Sequence, residues 1–403
     1  MACGTILRHS LYLEKSTDGA DPHSAPDFER FHSMRLGLSA LTPGRERLML
    51  PPQSRPRRVL HVIRRLDRIG GAERIVTELV RELAGHDVLV FAGEASAFDL
   101  GGGKFLRARN FAHAIWICTG LRRQYDVFHL HLPPSIYLAI LFGQRTVVHE
   151  HSTHIERRRK VLPRILSRIA LRRAGATVAV SDSVRDVIVS WKGSAARVFS
   201  LPNFIARLPS AKDTSAGTTT ILMVASFRSA KRQDELIRAL PFMPDDVQLS
   251  FAGDGPNLSA CRDLAQELGV AHRITFQGSV RDISRHYASA RLCALLSEWE
   301  GFGLVVLEAA SFGKATVVSD IEGLRDSCPD PGLLYAGSSP QELADKLMLT
   351  LEFCEAPAFC AKLRTHAKAH DLSSYASRLE EIYSQLDSQL VTRDGQWTCE
   401  AEG

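Results

Sequence analysis

The chain has no Cys-x-x-Cys pair, no apolar run approaching the roughly 18 residues of a membrane-spanning helix, and no repeat with a period of about 20–50 residues. Its eight cysteines, Cys3, Cys118, Cys261, Cys293, Cys328, Cys354, Cys360 and Cys399, are scattered. That spacing argues against a structural zinc and predicts a reduced, cytosolic chain. Cys293, inside the apolar run LCALLS, reads as a small buried thiol. The N-terminus lacks the charged, apolar and small-residue segments of a secretory signal. No Gly-x-Gly-x-x-Gly follows the first strand pattern, which removes a dinucleotide fingerprint. The stretch LGGGKF has Phe98 and Phe105 where a phosphate loop needs Gly and Ser/Thr, so it reads as a Gly-rich loop.

What is present is an ordinary globular balance: 403 residues, 45% hydrophobic, 24% charged, net charge +5. The length exceeds one typical core and predicts two domains. Residues 1–55 are rich in Ser, Pro, His and charge, without periodicity, and read as a disordered extension. Met34 and Met49 are alternative candidates for the start. From residue 57 a strand-type run, RRVLHVI, precedes GGAERIVTELVRELAGH, where Ile75, Val76, Leu79, Val80 and Leu83 share a helical face. DVLVFAG, DVFHLHL, RTVVHEH, ATVAV and RVFSL continue the alternation. A small, polar stretch at 208–218 reads as a linker, and a second series follows through TTILMV, VQLSFAGDG, RITFQG, RLCALLS and ATVVSD. The predicted class is α/β, two doubly wound domains over 56–210 and 211–370 facing an interdomain cleft, then a C-terminal helix and tail over 371–403.

The segment SEWEGFGLVVLEAASFGKATVVSD, beginning at Ser297, carries two glutamates, Glu300 and Glu308, with seven residues between them. It reads as strand, Gly turn and helix, so the turn lies at the carboxyl end of a strand and the free N–H groups at the helix start form an anion site. Gly301 and Gly303 let backbone approach a ligand. Glu308 falls inside an apolar helix, where a carboxylate needs a partner. A sugar diol is one such partner, a nearby Arg the other. In SFRSAKRQDELI, Ser229 is a candidate N-cap, which puts Lys231 and Arg232 in the first helical turn, against the macrodipole. A bound phosphate would reverse that cost; a solvated basic turn is the plainer alternative.

Two further clusters stand out. His129, His131, His149, His151 and His154 lie within a short span; in strands, His129 and His131 share one face, as do His149 and His151. A metal site is one reading, but the His-Glu-x-x-His helix spacing is missing. Residues 156–175 hold eight Arg or Lys and one Glu. On a helix starting near Pro163, Ile165, Leu166 and Ile169 form one face, flanked by Arg164, Arg168 and Arg172. Such a helix either lies on an anionic membrane or packs its apolar face into the core. Nucleic acid is not expected, because interleaved aromatics are missing there.

EGFGLVVLEAASFGKATVVSD, supported by GGAERIV, VVHEHST, KRQDELIRAL and FAGDGP, resembles the corresponding segments of family 4 retaining glycosyltransferases. The likeness runs from about residue 57 to residue 370. It implies a GT-B fold and metal-independent transfer of a sugar, with retained configuration, from a UDP- or GDP-sugar to an acceptor hydroxyl. It implies that Glu300 contacts donor-sugar hydroxyls and Glu308 the ribose. Gly301, Phe302, Gly303 and Leu304 would present the turn to sugar and diphosphate, with Lys231 neutralising the leaving diphosphate. Gly70 and Gly71 would leave room for phosphate, and His151 would sit near the reacting sugar. The family's arginine five residues before the lysine is Ser226 here, with Arg228 two residues later. No cofactor is implied. The acceptor would be lipid-linked or a saccharide, in bacterial surface-polysaccharide or glycolipid assembly, with peripheral contact to the inner face of the membrane through 157–173. A sugar-nucleotide epimerase of the same fold and a non-catalytic nucleotide-sugar-binding partner are the alternatives.

Overall fold

The computed structural model describes residues 56–67, 70–93, 99–152, 160–205, 211, 219–280 and 282–395, with side chains in the last helix as far as residue 386. The extension expected over 1–55, His154, the basic residues 157–159 and the 208–218 linker apart from Ala211 lie outside them.

Two parallel sheets form the frame. The first contains β1 (Val59–Ile63), β2 (His86–Val90), β3 (Phe105–Arg107), β4 (Val127–His131), β5 (Thr146–Glu150), β6 (Ala176–Ala179) and β7 (Val198–Ser200), in the order β3-β2-β1-β4-β5-β6-β7. Its helices are α1 (Gly71–Glu82), α2 (Phe111–Leu121), α3 (Ala139–Phe142), α4 (Val161–Arg173) and α5 (Asp182–Lys192). β1, β2, β4 and β5 are buried along their whole length. Burial on both faces explains why their apolar residues fall at successive positions, as in VLHVI of β1, and it also encloses the histidines these strands carry. The Gly-rich loop expected at 100–105 ends in β3, a short edge strand that the sequence pattern does not show.

The second sheet holds β8 (Thr219–Val224), β9 (Val247–Ala252), β10 (Ile274–Gly278), β11 (Leu292–Leu295), β12 (Thr316–Ser319) and β13 (Leu334–Tyr335), in the order β10-β9-β8-β11-β12-β13. Its helices are α6 (Gln233–Ala239), α7 (Leu258–Glu267), α8 (Ser284–Ser289), α9 (Leu304–Ser311), α10 (Glu322–Arg325), α11 (Pro340–Phe353) and α12 (Pro357–Lys368). In each sheet the strand order reverses beside the first strand, between β1 and β4 and between β8 and β11. Crevices beyond the strand carboxyl ends at such points are where open α/β sheets bind ligands.

The final helix, α13 (Leu372–Gly395), follows the second domain but packs on the first. Tyr375, Ala376, Leu379, Ile382, Tyr383 and Leu386 are buried with Val59, Val127, Val147 and Val178. Six such side chains contribute on the order of 10 kcal/mol of gross burial. Arg57 Nε donates to Glu380 Oε1 at 2.8 Å beside them. The helix therefore ties the end of the second domain back to the first.

Candidate functional site

Glu308 stands in the second turn of α9, with 3% of the residue exposed. The helix starts immediately after Gly303, whose φ of 77° lies in the left-handed region that favours glycine. One carboxylate oxygen pairs with the Arg74 guanidinium, which arrives from α1 of the other domain. The second oxygen accepts the Tyr287 hydroxyl at 2.8 Å, from α8. Burial raises the Glu308 pKa; Arg74 and the tyrosine hydrogen bond oppose it. The same burial and the neighbouring carboxylate push the Tyr287 hydroxyl up. Of the two partners the sequence leaves open, the structure thus shows an arginine, and adds a tyrosine.

Glu300 occupies the turn between β11 and α9. Lys231 forms an ion pair with its Oε1, and the Ser297 hydroxyl lies 3.1 Å from the same oxygen and 3.5 Å from Lys231 Nζ. Both charged side chains keep 18% exposure, so they form the wetter end of the site and Glu308 the dry end. The turn is pinned on both sides. Glu298 N–H donates to the Ala230 carbonyl at 2.8 Å, and a Cβ at Gly301 would collide with the His151 carbonyl. Gly301 is therefore required by close approach of the first domain's backbone. Gly71 also lies next to α9, but there a Cβ would fit: it would stand 3.4 Å from Leu304 Cδ1, an ordinary contact. The first residues of α1 and α9, Gly71 and Leu304, are thus neighbours, and Gly70 is the N-cap of α1. Phe302 turns its ring into the apolar cluster of the first domain and lies 5.7 Å from the His370 ring, which leaves only its backbone for a ligand.

One local expectation is corrected. Ser229 does not cap the helix. Ser229–Lys231 is a single 3-10 turn, Arg232 takes a left-handed φ of 52°, and α6 begins at Gln233 with Asp234 and Glu235 in its first turn. Carboxylates suit the positive end of a helix, so the cations are held outside it. Gln233 secures this arrangement by donating to the Ser226 carbonyl at 3.0 Å. Lys231 is thereby aimed at Glu300 without opposing a dipole. Arg228 is exposed, with its carbonyl closing the 3-10 turn on Lys231 N–H at 2.9 Å, and is not among the partners of Glu300 or Glu308.

A row of buried histidines runs through the first domain toward His151. His86 Nδ1 lies 2.8 Å from His61 Nε2, His61 Nδ1 3.0 Å from His131 Nε2, and His131 Nδ1 3.1 Å from His151 Nε2. His129 Nδ1 meets the Tyr383 hydroxyl at 2.6 Å. Burial lowers the His151 pKa to about 3 and holds His61, His129, His131 and His149 well below the ordinary histidine value, so these rings are neutral. Among the described residues, two triads, His61–His129–His131 and His131–His149–His151, bring ring nitrogens within 4.8 Å of one another, close enough to share a metal ion.

The apolar face expected on the basic helix α4 is only partly covered: Leu166 is half-buried, Ile165 is 49% and Ile169 39% exposed, and Val161 and Leu162 beside them are 75% and 66% exposed. Ser167, Ala170 and Leu171 are buried instead. Ser167 and Ala170 let α4 pack closely beside Leu171, with Val161, Leu162, Ile165 and Ile169 outward. Arg168 and Arg172 donate to the carbonyls of Trp191 and Lys192 at 3.1 and 3.3 Å, serving the end of α5. Among the described residues no helix is long and apolar enough to cross a membrane.

Arg74, Tyr287 and Ser297 are site residues that the sequence reading missed. Arg74 stands in GGAER and Ser297 opens the Glu300 segment, so proximity to the motifs could have marked both. Nothing local marks Tyr287.

A family model described as Glycosyl transferases group 1 matches residues 207–369, and one described as Glycosyltransferase Family 4 matches residues 69–206. Over 110 residues the chain is 36% identical to an uncharacterized glycosyltransferase of Methanocaldococcus jannaschii, covering 26% of this chain and 28% of that protein. It is 31% identical over 140 residues to a GDP-mannose-dependent alpha-(1-6)-phosphatidylinositol monomannoside mannosyltransferase of Mycobacterium tuberculosis, covering 31% and 36%. The chain thus spans about a third of the length of these curated relatives. Anabaena HepE, solved in complex with UDP-glucose, superposes with a TM-score of 0.70 at 18% identity, covering 83% of this chain and 99% of that one. WaaG, a glycosyltransferase involved in lipopolysaccharide biosynthesis, does so with a TM-score of 0.64 at 17% identity, covering 81% and 99%. With two parallel-sheet Rossmann-like domains in this arrangement and family models matched to each in turn, the chain belongs to the family 4 glycosyltransferases and has the GT-B fold.

Proposed function

We propose that the protein transfers a sugar, with retained anomeric configuration, from a UDP- or GDP-sugar to an acceptor hydroxyl. The observation that carries this reading is the pair of buried or half-buried carboxylates, Glu300 on Lys231 and Glu308 on Arg74 and Tyr287, flanking one Gly turn at the mouth of the cleft. Residues 56–210 form the acceptor side and 211–370 the donor side. Glu308 takes the ribose hydroxyls, with Arg74 yielding or sharing the carboxylate. The backbone of Gly301–Leu304 and the glycines Gly70 and Gly71 receive the diphosphate and sugar between the two helix N-termini. Glu300 accepts from the sugar hydroxyls.

In the reaction the bond from the anomeric carbon to the diphosphate breaks, and the acceptor oxygen bonds to the same face of that carbon. The acceptor's proton passes to the departing diphosphate. Lys231 stabilises the charge that develops on that leaving group, which supplies the role a metal would otherwise fill. Arg228 stands close enough in sequence to assist. His151, neutral and held by His131, offers a hydrogen bond to the reacting sugar without adding charge. The exposed apolar face of α4 supports peripheral attachment at the cytosolic face of a membrane, with a lipid-linked or saccharide acceptor in surface-polysaccharide or glycolipid assembly. That HepE was solved with UDP-glucose and one relative is named as GDP-mannose-dependent supports a nucleotide-sugar donor of either base.

Incubation with UDP- and GDP-sugars and membrane extract, with NMR of the product's anomeric proton, tests the reading. Transfer with retention is expected, and His151→Ala should lower turnover about tenfold, the worth of one neutral hydrogen bond, with donor affinity little changed. Epimerised donor in the absence of acceptor, or binding without turnover, would point to the other readings.

A further inference from the structure

We propose that His131, His149 and His151 form a binding site for a divalent transition-metal ion of the zinc and nickel class. His131 ends β4 and His149 is its register neighbour on β5; His151 follows two residues on. The His149 and His151 rings stack with centroids 4.2 Å apart, and His131 lies 5.2 and 5.4 Å from them. Their ligand nitrogens fall within 4.8 Å of one another. The His131 Nδ1 to His151 Nε2 separation of 3.1 Å is near the ~3.4 Å between two nitrogens each about 2.1 Å from a tetrahedral zinc.

A second observation is independent of that spacing. His149 has no exposure, and neither of its ring nitrogens has a hydrogen-bond partner. Buried polar groups are ordinarily satisfied, so a fully buried imidazole with both nitrogens idle inside a histidine cluster points to a missing ligand. Whichever tautomer it adopts, it has one lone pair to give.

The surrounding bonds suit this ligand set. If His131 coordinates through Nδ1, its Nε2–H donates to His61 Nδ1 at 3.0 Å, and His61 passes the same polarity to His86 at 2.8 Å. That is the outer-shell hydrogen bond a metal-bound imidazole ordinarily makes. The neighbouring triad has a similar pattern, with His129 Nε2 also unpartnered, but His149 leaves both ring nitrogens idle where His129 leaves one, which favours the triad that contains His149. Three imidazoles without thiolate select borderline ions over magnesium or calcium, which prefer oxygen.

The ion would replace the His131–His151 hydrogen bond and take the lone pair of His151. Resting on the role given to His151 above, it acts as a brake: transfer proceeds without the ion and is inhibited by it.

The test uses the full chain dialysed against chelator, without donor. Titration with zinc, nickel and magnesium should show one site for zinc and nickel and none for magnesium. Cobalt should give a d–d spectrum without a thiolate charge-transfer band. His149→Leu, which is closer to histidine in volume and removes the ligand, should weaken zinc binding at least about tenfold in the folded protein. Unchanged zinc affinity in that variant, a thiolate band, or no binding to the folded wild type would overturn the site. The cobalt spectrum of the wild type decides the matter should the variant fail to fold. Because donor is absent, a negative result leaves sugar transfer untouched, and a positive one stands even if no sugar is transferred. Zinc binding at this site without loss of transfer would overturn the brake.

Discussion

Arg74 of the first domain is ion-paired with Glu308 of the second, two residues separated by 234 positions in the chain. The carboxylate is nearly inaccessible, the guanidinium about a quarter exposed, and Tyr287 completes the acceptor's coordination. The residue proposed to hold the donor's ribose is thus also the residue through which the two domains grip each other. Under that proposal, donor binding and domain contact would compete for, or share, one carboxylate.

Removing one partner of such a pair leaves the other charge stranded. Arg74→Ala should destabilise the protein by about 2–3 kcal/mol, the lower end for a buried pair because Arg74 is partly wet. Arg74→Ala with Glu308→Gln should recover most of the loss. Thermal unfolding of the single and double variants measures the coupling; additive losses would show that the contact carries none.

The raised pKa of Glu308 sets a pH dependence. Its native form holds its proton to higher pH than the unfolded chain, whose value is near 4.5. In that window the native state binds more protons, so this group's contribution to stability falls as pH rises through the native pKa and is restored on acidification. Wild type should therefore gain on Glu308→Gln as pH is lowered toward 4.5. Parallel melting curves across that range would contradict it.

The two glutamates should separate functionally. Glu308→Ala should weaken binding of bare UDP or GDP by roughly ten- to more than a hundredfold, the effect of losing a charge-assisted pair of about 1.5–3 kcal/mol. Glu300→Ala should leave that affinity nearly unchanged and lower turnover with the full donor. Calorimetry with the diphosphates, alongside a transfer assay, reads both; wild-type behaviour in both variants would make the carboxylates structural.

Membrane attachment should depend on the outward face of α4. Val161→Ser with Leu162→Ser and Ile165→Ser should release the protein from anionic vesicles, and Arg164→Glu should weaken it further by about 1 kcal/mol or more. Arg168 and Arg172 are unsuitable probes because they hold the end of α5. Co-sedimentation at low salt that survives the triple serine change would remove the membrane reading.

Local pattern determined the strand–helix alternation, the two-domain division of the apolar runs, the Gly turn before α9 and the placing of both glutamates on it. Each depends on residues within a few positions of one another, where period and turn chemistry act directly. Tertiary structure alone decided that Arg74 and Tyr287 hold Glu308, that Tyr383 returns to His129 across 254 positions, and that His61 and His86 extend the row reaching His151. It also decided which way α4 faces. An amphipathic pattern shows that two faces differ, but neighbours decide which is covered, and here Ser167, Ala170 and Leu171 face inward while Val161, Leu162, Ile165 and Ile169 stay outward. Lys231 sits between these cases. Its charge and place in the chain were legible, but its 3-10 turn follows from Asp234 and Glu235 claiming the helix start and from Gln233 reaching the Ser226 carbonyl, a competition among neighbours that only the folded backbone resolves.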